Sequence, residues 1–167
     1  MNCCRIRLSW CQQPISQTGW AVHPMSAPDF YFVVNSTARH IHDQYGKDVL
    51  IDYWRSLGRE YYHQRVADWR EGGLEAIAED WKQYFLREPG AEVETIVEPE
   101  VIHLDIRVCP AIKHLRASGR DIVPYFCEHC DHTCGSMAEQ AGYTFARSGG
   151  MGSCRQSFSR SRSSTDE

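Results

Sequence analysis

Between Cys127 and Cys134 the chain reads CEHCDHTC, which places three cysteines, two histidines and an aspartate within eight consecutive residues. Thiolates are strong nucleophiles and soft metal ligands, and an adjacent carboxylate or imidazole can move the proton that either role requires. On a helix, Cys127, Cys130, Asp131 and Cys134 share one face, because spacings of three, four and seven align. His129 and His132 then point to the opposite side.

Three chemistries stay open for this octet. Cysteine is among the most buried residue types, so the face can simply pack against a sheet, but Asp131 buried among thiols would then need a partner. A metal reading takes Cys127, Cys130 and Cys134 as ligands of zinc or an iron–sulfur cluster, with Cys109 or Cys154 as a fourth. The spacing departs from the common ferredoxin runs and from paired structural-zinc knuckles. A catalytic reading uses the thiols as nucleophiles without a cofactor. Cys109 suits it, because "CP" leads into a helix whose N-terminal dipole favours a thiolate. Cys154 lies on the final strand and can approach from the sheet.

The elements that must position these residues follow from periodicity. Phe30, Val34, Thr37, Ile41 and Tyr45 recur at steps of three and four, and so do Leu50, Trp54, Leu57 and Tyr61. After Gly72 and Gly73 the same stripe returns through Leu74, Ile77, Ala78, Trp81 and Phe85, until Pro89 and Gly90 stop it. Three amphipathic helices are expected. The pattern then alternates: Ile102, Leu104, Ile106 and Val108 face a core, while His103, Asp105 and Arg107 form a polar outer face rather than a catalytic set. This strand is expected to pair with Val93–Val97 through the turn at Pro99. A short helix follows Pro110, a second runs from near Pro124 to Gln140, and GYTFARS and GSCRQSF form a closing hairpin.

The expected fold class is α+β: a helical half over residues 28–88, packed on a half over 89–158 with a small antiparallel sheet and short helices. Residues 1–27 lack a regular period and are expected to be a disordered leader or the product of a mis-called start. Residues 159–167, SRSRSSTDE, are expected to be a solvated tail. At 167 residues the chain suits one domain with a real core. A net charge of −4 gives no positive field for nucleic acid, and no apolar run approaches the roughly 20 residues that span a bilayer. With no secretory signal, the eight cysteines are expected to be reduced and the protein cytoplasmic. His40 and His42 stand two apart and do not face each other. Trp54, Trp69 and Trp81 read as core or interface, and the aromatic helices also suit a scaffold that forms a homo-oligomer.

Cys109–Pro110, then Cys127 with Asp131, then GYTFARSGGMGSCRQSF resemble the L-2-amino-thiazoline-4-carboxylic acid hydrolase-like family, over roughly Val101 to Phe158. The resemblance implies a hydrolase that opens a small cyclic amidine-like ring carrying a carboxylate. It gives Cys109, Asp131 and Cys154 catalytic roles and places Arg147 and Cys127 against the substrate. Asp131 would move the proton, and Arg147 would grip the substrate carboxylate through its two-pronged fork. The other class left open is a non-enzymatic, thiolate-rich module for a metal, a cluster or a small ligand.

Overall fold

The computed structural model describes residues 29–161, so the leader expected over 1–27 and residues 162–167 of the expected tail lie outside the described residues. The chain is an α+β protein, with helices in its N-terminal half and a four-stranded antiparallel sheet towards its C-terminus.

Helix α1 (Asp29–Tyr45) is followed by α2 (Lys47–Ser56), which runs into a π-helical turn over Leu57–Tyr61. Helix α3 (His63–Leu86) begins directly afterwards. The sequence reading placed the third helix only after Gly73. Val66 and Trp69 are nonetheless buried on a helical turn before it, and α3 continues across a break at Gly73, where φ is 72° and ψ −157°. That backbone geometry is open to glycine and strained for other residues.

Two hairpins make the sheet. Strands β1 (Glu92–Glu98) and β2 (Val101–Val108) form one, β3 (Tyr143–Gly150) and β4 (Ser153–Arg160) the other, and β2 pairs with β4 to give the order β1-β2-β4-β3. Strand β4 extends through Ser159 and Arg160, two residues into the stretch expected as a tail, because they pair with Thr144 and Tyr143. The inward face carries Ile102, Leu104, Ile106 and Phe158 against Trp69, Ile77, Trp81, Met137 and Ala138. Complete burial of a side chain such as Ile102 contributes about 1.5–3 kcal/mol. On the outer face Arg107 pairs with Glu94 at 2.7 Å and Arg155 with Asp105 at 2.9 Å, so this polar row is occupied by cross-strand ion pairs.

Helix α4 (Pro110–Ala117) follows β2, and α5 (Glu128–Ala141) leads into β3. Helix α5 starts four residues later than expected, because Pro124 to Cys127 form turns in which Glu128 N–H donates to the Tyr125 carbonyl. It ends at Gly142, whose φ of 87° reverses the chain into β3. A second cluster of Tyr31, Leu50, Trp54, Ile112, Leu115 and Phe126 binds α1, α2 and α4 together, and Cys109 packs against both cores. Buried Asn35 of α1 accepts from the Val123 N–H at 3.0 Å and donates to the Asp121 carbonyl at 2.9 Å, which anchors the segment ahead of α5.

Close packing of α2 on α5 governs the region of the cysteine octet. A Cβ on Gly58 would lie 2.7 Å from the Thr133 carbonyl oxygen and 2.8 Å from the Ser136 Cβ, so only glycine permits this approach. Thr133 and Ser136 hydroxyls in turn donate to the Trp54 and Arg55 carbonyls at 3.1 and 3.0 Å, tying α5 to the end of α2.

Candidate functional site

Helix α5 presents the two sides of the octet to different neighbours. His132 stacks on the Trp54 ring with centroids 5.9 Å apart and planes 12° from parallel, and His129 meets the same ring edge-on. Cys134 is buried in the sheet-side core, and Cys130 packs against that core. Enclosure lowers the His129 pKa to about 4.

Asp131 finds its partner on β3. Arg147 Nε donates to Oδ1 at 2.8 Å and Nη2 donates to Oδ2 at 2.6 Å, a bidentate pair, while Nη1 donates to the Gly149 carbonyl. The fork that the resemblance assigns to a substrate carboxylate is therefore engaged within the protein. The bond to Asp131 raises the Arg147 pKa further above its ordinary value.

Five thiols gather beside this pair. Cys109 stands at the N-cap of α4, its amide donating to the Gly152 carbonyl at 2.8 Å. Cys127 stands at the N-cap of α5, its sulfur accepting from the Met151 amide at 3.2 Å. Cys154 lies on β4 opposite Gly149 and Ile106. Cys130 stands among Cys109, Cys127, Cys134 and Cys154.

Burial dominates thiol ionisation here. It raises the Cys109 pKa, and the backbone N–H groups of Ile112 and Ala111 only partly offset it. The helix-terminus effect expected from sequence is present and is outweighed by desolvation. Burial also raises Cys154, against a smaller opposing bond from Gln156, takes Cys134 to about 12 and lifts Cys130 well above its usual value. These four groups therefore remain neutral thiols at pH 7.

Asp131 also lines a groove of about 370 Å³ between α5, β3 and the end of α2, together with Arg55, His132, Gly135, Glu139 and Phe145. A depression of equal volume along β1, at Glu92, Glu94 and Arg107, gathers none of the candidate residues. Among the described residues, no group of three or more His, Cys, Asp or Glu side chains is arranged to hold a metal ion. No helix among them is long and apolar enough to cross a membrane.

Two neighbours of the site escaped the sequence reading. Gln156 is 3% exposed; its Nε2 approaches the Cys154 sulfur at 3.9 Å, and its Oε1 has no partner among the described residues. The signal was present in the alternation of Cys154, Gln156 and Phe158, which turns a polar amide inward. Arg55, at the end of α2, reaches the groove only through tertiary packing and leaves no local pattern. No protein-family model, curated protein or solved structure matches the chain.

Proposed function

We propose that this protein hydrolyses a small cyclic amidine-like ring that bears a carboxylate, of the 2-aminothiazoline-4-carboxylate kind. The observation that carries this reading is the Asp131–Arg147 pair, whose carboxylate lines an open groove. A carboxylate that opens onto the groove can take a proton from water there and return it to a leaving group.

Water enters the groove and attacks the carbon held between the ring heteroatoms, and Asp131 takes the water proton. The tetrahedral intermediate loses its hydroxyl proton to solvent and collapses with breakage of the ring C–S bond, and Asp131 returns its proton to the departing sulfur. From the protonated amidine the net change is addition of one water and release of one proton, giving a urea and a free thiol. Arg147 positions Asp131 in this scheme.

The test is incubation with 2-aminothiazoline-4-carboxylate and detection of the hydrated, ring-opened product by mass spectrometry. Asp131→Asn should lower kcat by about 100-fold or more, within the range for loss of a general base. Failure of the wild-type protein to open the ring overturns the reading.

A further inference from the structure

We infer that the groove between α5 and β3 is a binding cleft for a flat zwitterion, with Gly135 as its floor and Arg55 as the residue that takes the ligand's carboxylate. The inference rests on the ring-hydrolysis reading and specifies how that substrate would be held.

Gly135 lies mid-way along α5, where glycine costs about 0.5–1 kcal/mol relative to alanine. Packing does not explain it, since a Cβ at this position would meet no atom within 4 Å, in contrast to the crowding at Gly58 on the facing segment. Backbone geometry does not explain it either, because Gly135 is absent from the residues with positive φ. The space above it belongs to the groove. A bare helix backbone there lets a planar ring lie flat against α5, and any side chain would occupy the same space.

Arg55 is the groove cation free to change partners. Its backbone is fixed by the Ser136 hydroxyl, yet among the described residues its guanidinium makes only a 3.5 Å ion pair with Glu139, whose side chain is 73% exposed. Such an exposed pair contributes about 0–1 kcal/mol, so an incoming carboxylate displaces Glu139 at little cost. Arg147 would have to give up two short bonds to Asp131 for the same role. Asp131 and Glu139 then face the positively charged amidine end of the ligand. His132, stacked on Trp54, forms a fixed wall. The volume of about 370 Å³ is at the small end of the roughly 300–1,000 Å³ typical of ligand pockets.

The experiment titrates the full-length protein with 2-aminothiazoline-4-carboxylate and, separately, with 2-aminothiazoline, which lacks the carboxylate, following amide shifts by NMR. Wild type should bind the carboxylated ring about tenfold more tightly, a difference of about 1.4 kcal/mol. Arg55→Gln should bring the two probes within about twofold, and Arg55→Lys should restore part of the gap. Gly135→Leu should weaken both probes about tenfold or more. Gly135→Ala should weaken them less while leaving the thermal midpoint unchanged or higher, and it decides the matter if the leucine variant does not fold. Equal binding of the probes by wild type, or discrimination and affinity that survive in these variants, overturns the inference and leaves ring hydrolysis standing. Binding of neither probe by wild type removes both.

Discussion

Replacing His129 with phenylalanine removes a ring whose burial holds its pKa down to about 4, against an ordinary value of 6.5. Phenylalanine keeps an aromatic edge for Trp54, so packing changes little. In wild type, the unfolded chain takes up a proton below pH 6.5 that the folded ring refuses until about pH 4. Stability is therefore complete above the unfolded pKa and falls as pH drops through the window between the two values. A shift of 2.5 units at 1.36 kcal/mol each gives about 3 kcal/mol, an upper value because His129 keeps part of its surface exposed. Between about pH 6.5 and 4.5 the linkage relation gives a loss of about 2 kcal/mol from this one group. Urea unfolding of wild type and His129→Phe across that range isolates the effect, since the other titrating groups are common to both proteins. Wild type should lose about 2 kcal/mol more than the variant. Parallel pH profiles for the two proteins would show that the ring is not enclosed as described.

Gly58→Ala should destabilise the fold by about 1–3 kcal/mol in chemical denaturation, because its methyl group would collide with the Thr133 carbonyl and Ser136. Gly135→Ala, on the facing helix with open space above it, should instead stabilise by about 0.5–1 kcal/mol. Asp131→Asn leaves the Arg147 guanidinium, 14% exposed, without its counter-charge; a loss of about 1–2 kcal/mol is expected by denaturation, below the fully buried figure because Asp131 is 35% exposed. Cys109 and Cys154 should react with iodoacetamide more slowly than free cysteine at pH 7.5 and accelerate towards alkaline pH, read by peptide mass spectrometry, since burial raises both thiols.

The sheet was legible because its chemistry is local. Alternation of Ile102, Leu104 and Ile106 with His103, Asp105 and Arg107 fixes which face is buried, and the turns at Pro99 and at Met151–Gly152 fix which strands pair. The first half of α3 was not legible, because only Val66 and Trp69 mark its buried face among polar residues, and Gly73 suggests a helix start rather than a kink within one. The π-helical turn has no local signature; it accommodates the contact of Gly58 with α5. The cysteine face of α5 could be read from spacing, whereas the pairing of Asp131 with Arg147 across 16 residues depends on how α5 lies against β3. Burial, likewise a tertiary property, reverses the expected ease of ionising Cys109.

Turnover of 2-aminothiazoline-4-carboxylate by wild type, Asp131→Asn and Cys154→Ala, on protein whose zinc and iron content has been determined, tests the central claim most directly. The account predicts a ring-opened product from wild type, a loss of about 100-fold or more in Asp131→Asn, and turnover close to wild type in Cys154→Ala, whose thiol is not among the residues lining the groove. No ring opening by wild type, or full turnover by Asp131→Asn, would contradict it.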